Sequence, residues 1–186
     1  MEALTALPLV MPPTVLGFYL LLLFSPDNIF GSFWVDLTGT ALSFSFNGLV
    51  IASLIYSLPF MVQPLTAAFG QIGTRPMEAA ATLGASPWNA WRTTVLPMAR
   101  NGYLTAAVLT FAHTVGEFGI VLMVGGNLAG ETRVISIAIY ESVETLDYAQ
   151  AHLLSAGLLV FSFSTLLCVY YFNRQFALSV GPRGSS

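Results

Sequence analysis

Few residues in this sequence could do chemistry, and two of them interrupt a stretch of apolar residues. His113 and Glu117 lie in the apolar run from Asn101 to about Val124. Their spacing of four residues places them on one face of a helix, where an imidazole and a carboxylate can interact. Ionisable groups at membrane depth face a protein interior or water. Two interpretations follow: the pair shapes a gate or pathway, or Glu117 is held in hydrogen bonds between helices.

The other reactive side chains argue against several classes of protein. The chain has no lysine, so it cannot supply the lysine of a phosphate-binding loop, and any ATP hydrolysis would need another polypeptide. Two histidines and one cysteine, Cys168, show no metal-ligand spacing and allow no intrachain disulfide. Six arginines are too few for a nucleic-acid surface. We find no catalytic constellation and expect no metal site and no cofactor.

The elements that position these residues must lie in lipid. Of the 186 residues, 55% are hydrophobic and 8% are charged, whereas soluble domains are about 25% charged. We predict an all-α, polytopic membrane protein that forms one domain over residues 1–186. Four apolar stretches are each long enough to cross a bilayer once. The predicted spans are residues 4–24, 42–62 (ending near Pro59 and Pro64), 101–124 and 151–172.

The arginines predict the orientation of these spans. Five of the six lie on one side, which the positive-inside rule makes cytoplasmic, and only Arg133 falls on the other side. Both termini are therefore predicted to be cytoplasmic, and the acidic loops face outward. The five arginines are Arg75, Arg92, Arg100, Arg174 and Arg183.

Prolines crowd the first predicted span. Pro8, Pro12 and Pro13 each lack a backbone donor and crowd the preceding turn. In a bilayer the freed carbonyls must be satisfied by neighbouring helices or by water in a cavity. The prolines thus indicate either a tolerated kink or irregular backbone beside a substrate route.

The outer loop, residues 125–150, contains a pattern of its own. Gly125, Gly126 and Gly130 mark turns. The residues from Val134 to Glu141 then predict a short helix with mixed faces. We expect it to lie at the outer membrane surface; a plug is the alternative.

The cytoplasmic loop, residues 75–100, carries the most informative pattern. Its alanine-rich run from Glu78 to Leu83 predicts a short helix, and Gly84 is placed to end it. Ser86 is a good N-cap for a second short helix with Pro87 at its first position.

Two tryptophans, Trp88 and Trp91, follow in that second helix. They could form an exposed docking surface in the cytoplasm. Tryptophan is also enriched at bilayer interfaces, so interfacial anchoring is the alternative.

The residues of this loop resemble the EAA loop of ABC-importer permeases. Glu-Ala-Ala is followed by a glycine six positions after the glutamate, and later by Leu-Pro. In that family the loop is a coupling helix that fits a groove on the ATP-binding subunit, and the resemblance implies the same role here. Thr94 departs from the family, which usually has isoleucine at this position. The matching residues are Glu78, Ala79, Ala80, Gly84, Leu96 and Pro97.

Further stretches resemble permeases of the molybdate type. They are Leu7–Gly17, which reads LPLVMPPTVLG, the sequence Gly-Glu-Phe-Gly at 116–119, and the loop sequence GGNLAGETR with SIAIY after it. Sulfate permeases share Gly-Glu-Phe-Gly but differ through the outer loop. The resemblance covers nearly the whole chain and implies import of molybdate, or of tungstate, across the inner membrane of a bacterium. Our candidates for a pathway or gate are Pro12, Pro13, His113 and Glu117, although a carboxylate repels an oxyanion.

The resemblance also implies partners. They are a separate ATP-binding subunit, an external molybdate-binding protein, and a second permease copy in a homodimeric pore with alternating access. The family normally has two more spanning helices before Leu7, whereas this sequence begins almost there.

Three alternatives stay open. The first keeps the fold and changes the cargo to sulfate, thiosulfate or another oxyanion. The second is an inactive permease shortened at its N-terminus. The third is a membrane enzyme or assembly protein, which predicts clustered polar residues in the spans that the sequence lacks.

Overall fold

The computed structural model describes residues 2–179 and, for side chains, residues 5–171. No strand occurs in that part of the chain, and the predicted all-α class is confirmed. Arg183, which the orientation argument used, lies outside the described residues. The helices are α1 (Glu2–Val10), α2 (Pro13–Phe24), α3 (Ile29–Thr38), α4 (Phe46–Ile72), α5 (Arg75–Thr82), α6 (Pro87–Ala90), α7 (Leu96–Met98), α8 (Arg100–Val115), α9 (Gly119–Gly125), α10 (Ile135–Glu144) and α11 (Tyr148–Ser179), with a π-helical turn (Trp91–Val95) between α6 and α7.

Two of these helices are long and apolar enough to cross a membrane alone: α4, and α11 over Tyr148–Tyr171. Two pairs of helices qualify only together, and both pairs are bent, α2 with α3 by 57° and α8 with α9 by 58°. By length and composition, the described residues therefore provide two spans, or four if each bent pair is one span. The four predicted spans are obtained only if each bent pair is counted as one span.

The first predicted span, residues 4–24, is not one helix. α1 ends at Val10 and α2 begins at Pro13, so the helix is interrupted at Pro12. Pro12 and Pro13 have no N–H group, so neither can continue the backbone hydrogen bonds of α1. Pro8, in contrast, is accommodated inside α1. The predicted bounds of this helix are wrong, and α2 forms a bent pair with α3 instead of continuing from α1.

The second span differs in the opposite way. α4 runs through Pro59 and Pro64 and ends only at Ile72, so the predicted end near these prolines is wrong. Spanning helices tolerate proline because neighbouring helices and side chains satisfy the freed carbonyls. Gly73, whose φ is +65°, ends α4 by donating its N–H to the Phe69 carbonyl.

The core joins α2, α4 and α9. Leu20 and Phe24 of α2 pack with Ala52 of α4 and with Ile120 and Val124 of α9, and all five are buried. These contacts bring α9 against the middle of the bundle, so the residues just before α9 are held by several helices. α11 packs on α10 and α8, and most of its large apolar side chains are exposed, as suits a helix that faces lipid.

Candidate functional site

The 75–100 loop folds as the two predicted helices. α5 begins at Arg75 rather than at Glu78, and Glu78 lies in its first turn, where a carboxylate complements the helix dipole. Gly84 follows the helix with a φ of +80°, a left-handed conformation that favours glycine. Ser86 caps α6 by accepting a hydrogen bond from the Asn89 N–H. Both short helices are confirmed.

A π-helical turn joins this loop to the membrane helix α8. The Leu96 N–H donates to the Trp91 carbonyl five residues earlier, and the chain stays helical through α7 until a single turn residue, Ala99. Within the turn Val95 is buried while Thr94, which departs from the permease pattern, is only half-buried. A nearly continuous run of helical residues therefore connects Trp88 to Val115.

An exposed apolar surface lies at the tip of this loop. Leu83 is 88% exposed and Trp88 is 69% exposed. The Trp88 ring stacks on Trp91, with centroids 5.3 Å apart, and Trp91 is half-buried. We call Leu83, Trp88 and Trp91 the loop patch. The expectation of two exposed tryptophans holds only for Trp88.

The motif residues lie around this patch. Glu78 and Ala79 are exposed on α5, whereas Ala80 is half-buried. Leu96 is half-buried and Pro97 is exposed at the far end of the π-helical turn. The loop thus exposes Glu78 and its tip, and its Leu-Pro pair leads into α8.

Glu117 lies at a break between helices, not inside one. α8 ends at Val115 and α9 begins at Gly119, so the prediction of one helix over residues 101–124 is wrong. Glu117 Oε1 accepts a hydrogen bond from the Ile120 N–H at 2.9 Å. Its carbonyl accepts another from the Ser136 hydroxyl of α10 at 2.7 Å. The residue is 7% exposed and ties α9 and α10 to the end of α8.

His113 lies one turn before this break and contacts α4. Its ring stacks on Phe60 with centroids 3.8 Å apart. Nδ1 lies 3.2 Å from the Ser57 hydroxyl, which in turn lies 2.9 Å from the Thr114 hydroxyl. His113 Nε2 and Glu117 Oε2 are 4.0 Å apart. The structure therefore brings His113 and Glu117 together, as predicted.

Sequence reasoning missed Ser57 and Thr114. Both hydroxyls sit among apolar residues, where a single serine or threonine gives no pattern. The available signal was that Ser53 and Ser57 on α4, like Thr110 and Thr114 on α8, are four residues apart and so share a helix face.

Ser57, His113 and Glu117 are the three residue types of a hydrolytic triad, but their geometry does not suit hydrolysis. In a triad the base must be hydrogen-bonded both to the nucleophile and to the orienting carboxylate. The 4.0 Å between His113 and Glu117 is too long for a hydrogen bond. The Ser57 residue is only 3% exposed and its hydroxyl also pairs with Thr114. We interpret the cluster as a polar tie between α4 and α8.

One of the two candidate prolines, Pro13, contacts the residue that follows this break. Pro13, the first residue of α2, packs against Gly119, the first residue of α9. A Cβ atom at Gly119 would lie 2.7 Å from the Pro13 Cβ, closer than such atoms approach in proteins. Pro12 precedes it as the exposed N-cap residue of α2. The break at residues 116–118, which we call the α8–α9 bend, thus contains Glu117, follows His113 by one turn and adjoins the contact between Pro13 and Gly119.

This contact predicts the effect of Gly119→Ala. The added methyl must displace a rigid proline ring, so we expect overpacking to cost about 1–3 kcal/mol. The unfolding temperature of the detergent-solubilised protein should fall accordingly. Gly157→Ala on α11 is the matched control, because a Cβ there meets no atom within 4 Å. Equal unfolding temperatures for the two variants would contradict the close packing.

The 125–150 segment is folded and not a free loop. The predicted short helix is confirmed as α10, and the turn before it is held by buried Thr132, whose hydroxyl donates to the Gly125 carbonyl at 2.5 Å. Arg133, the exception in the arginine distribution, pairs with Glu141 at 3.3 Å and donates to Asn127. The positive charge of Arg133 is therefore paired with a carboxylate of the same segment.

Comparison with known proteins places the chain among transport permeases. The profile of the family described as "binding-protein-dependent transport system inner membrane component" matches residues 1–178. The molybdenum transport system permease protein ModB of Azotobacter vinelandii is 54% identical over 172 residues, 92% of this chain and 76% of that protein. ModB of Escherichia coli K12 is 35% identical over 78% of this chain and 63% of that protein.

A sulfate permease is more distant. The sulfate transport system permease protein CysT of Escherichia coli K12 is 29% identical over 97% of this chain and 65% of that protein. The chain thus spans less than two thirds of the length of both Escherichia coli relatives. The match across residues 1–178, the helical spans and the loop geometry agree with one another. The chain belongs to the family of inner-membrane components of binding-protein-dependent transport systems.

Proposed function

We propose that this chain is the permease subunit of an ATP-driven importer and that its cargo is molybdate. The observation that carries the proposal is its 54% identity to a molybdenum permease over 92% of the chain. The permease itself catalyses no reaction. A separate ATP-binding subunit hydrolyses ATP, an external molybdate-binding protein delivers the anion, and a second permease copy completes the pore.

The loop patch is the docking surface for the ATP-binding subunit. Exposed aromatic and aliphatic side chains at the centre of a surface are typical anchors of protein interfaces. Leu83 and Trp88 have this character, and they lie on a segment between spans where lipid need not cover them. The arginine distribution supports a cytoplasmic position for this segment and for both termini.

The nearly continuous helical segment from Trp88 to Val115 gives a route for coupling between the loop and the spanning helices. A displacement of the loop patch moves α8, because only the turn at Ala99 separates the π-helical turn and α7 from α8. The far end of α8 is the α8–α9 bend, which Glu117 ties to α9 and α10. ATP-driven movement of the loop would therefore change the angle of the bend.

Within this function His113, Glu117, Pro12 and Pro13 shape the bend beside the substrate route. Glu117 acts through its hydrogen bonds and not as an anion-binding group, since its Oε1 already accepts the Ile120 N–H. His113 supports the bend from α4 through Ser57 and Phe60.

Uptake of labelled molybdate tests the proposal. Cells without their own molybdate uptake would express the gene that encodes this chain together with its ATPase and binding-protein partners. We expect ATP-dependent uptake that excess unlabelled molybdate or tungstate suppresses and excess sulfate does not. Suppression by sulfate would change the assigned cargo to sulfate, which the CysT relative favours. Absence of uptake of either anion, with the protein present in the membrane, would refute the importer.

A further inference from the structure

The α8–α9 bend takes one of its hydrogen bonds from another helix. The last carbonyls of a helix have no N–H partner further along that helix, and an unpaired carbonyl is costly in a membrane. The carbonyls of Ala112 and Thr114 accept the N–H groups of Gly116 and Glu117, which follow them directly in the chain. The Glu117 carbonyl instead accepts the Ser136 hydroxyl at 2.7 Å. The bend is therefore completed by a side chain that lies nineteen residues later, in α10.

Ser136 is placed to give this bond. It is the second residue of α10, so its own helix offers no carbonyl four residues before it. Ser142, further along α10, donates within the helix, to the Ala138 carbonyl at 2.9 Å. The two serines therefore differ in what they hold together: Ser142 bonds only its own helix, whereas Ser136 joins α10 to the bend.

Two apolar contacts hold α10 at this position. The centroid of the Tyr140 ring lies 4.8 Å from that of Phe118, which is part of the bend. Ile137 is fully buried and packs with Leu49 of α4 and Val121 of α9. The first turn of α10 is thus packed on both α4 and α9, and its serine hydroxyl is fixed against the bend.

A cleft of about 350 Å³ adjoins this bond. Glu117 and Ser136 both line it, and α11 contributes apolar side chains to its wall, among them Leu158 and Phe161. Side chains therefore do not fill the space beside the bond, and room is left for a change in the angle of the bend. Any such change that does not carry α10 along must break the bond between Ser136 and Glu117.

We propose that Ser136 is a positioning residue that makes α10 follow the α8–α9 bend, so that movement of the 75–100 loop also moves the 125–150 segment. The inference rests on the proposed function and adds to it a residue that acts through the Glu117 backbone. Coupling between distant parts of a protein is carried by packed side chains and hydrogen bonds. Without the Ser136 hydroxyl the bend moves while α10 stays behind, so ATP is hydrolysed but fewer anions cross for each ATP.

The number of anions imported per ATP tests this role. The permease is reconstituted in liposomes with its ATPase and binding-protein partners, and molybdate uptake and ATP hydrolysis are measured on the same samples. In Ser136→Ala we expect the molybdate imported per ATP to fall about tenfold, the effect of one lost hydrogen bond, with hydrolysis retained. Ser136→Thr keeps the hydroxyl and should restore the ratio. Ser142→Ala is the matched control in the same helix, since that hydroxyl bonds only to its own helix.

Three results would overturn the inference. The first is an unchanged ratio in Ser136→Ala, which includes a proportional fall of uptake and hydrolysis, as general destabilisation would give. The second is an equal fall in Ser142→Ala, and the third is an equal fall in Ser136→Thr, which would assign the effect to packing. If Ser136→Ala does not accumulate, Ser136→Cys replaces it with the same expected fall, because a thiol is a weak donor. Failure of the proposed function is distinguishable, because the unmodified protein would then import no oxyanion at all.

Discussion

Replacing Glu78 with alanine and Gly84 with valine in one chain is expected to abolish ATP-driven uptake while the protein stays in the membrane. Gly84 has a φ of +80°, where a β-branched residue is strained by about 1–2 kcal/mol. The strain would re-aim Leu83 and α6, and with them the loop patch. The exposed Glu78 carboxylate in the first turn of α5 is removed at the same time. Uptake and membrane level are measured together.

Gly39→Val is the matched control for this variant. Gly39 also has a positive φ, +75°, and a Cβ there would meet no atom within 4 Å, as at Gly84. It ends α3, away from the 75–100 loop, so the same backbone penalty should leave uptake largely intact. Full uptake in the Glu78–Gly84 variant would refute the assignment of this loop to ATPase docking. Loss of uptake in both variants would point to general destabilisation.

Local signals in the sequence predicted the 75–100 loop well. Ser86, Pro87 and Gly84 act through their own backbone geometry, which depends little on the rest of the fold. The caps and turns that they specify are therefore those of the structure. The π-helical turn had no such signal, because an extra residue in one helical turn is not tied to any residue type.

Prolines were harder to interpret from the sequence. Pro12 interrupts a helix, whereas Pro59 and Pro64 do not. All three lack a backbone donor, and the difference depends on whether neighbouring helices satisfy the freed carbonyls. That is a property of the tertiary structure. The role of Ser57 was missed for the same reason, because its partners His113 and Thr114 lie more than fifty positions away in sequence.

The α8–α9 bend shows how far sequence reasoning reaches at the candidate site. The spacing of His113 and Glu117 correctly placed them side by side, because the helix persists for most of the interval. It could not reveal that the helix ends at Val115. Once it ends there, Glu117 is free to turn its carboxylate to the Ile120 N–H, and its role becomes that of a cap.

Glu117→Ala should therefore damage the protein far more than Glu117→Gln. Alanine leaves the Ile120 N–H without its acceptor, and Ile120 is fully buried, so the loss is expected to cost about 1–3 kcal/mol. Glutamine keeps a carbonyl oxygen at the same distance along the side chain and can accept the same bond. We expect a lower unfolding temperature and little uptake in Glu117→Ala, and near-normal values for both in Glu117→Gln.

Comparing these two variants distinguishes a capping role of Glu117 from a requirement for its negative charge. Glu144→Ala, which removes an exposed carboxylate from α10, controls for the loss of a carboxylate elsewhere and should change neither measurement. If Glu117→Gln lost uptake as fully as Glu117→Ala while keeping its unfolding temperature, the negative charge itself would be required. Glu117 would then act as a gate beside His113, at 4.0 Å, and not through the Ile120 N–H. If capping is its role, stability and uptake must fall together, since both depend on the angle at which α9 leaves α8.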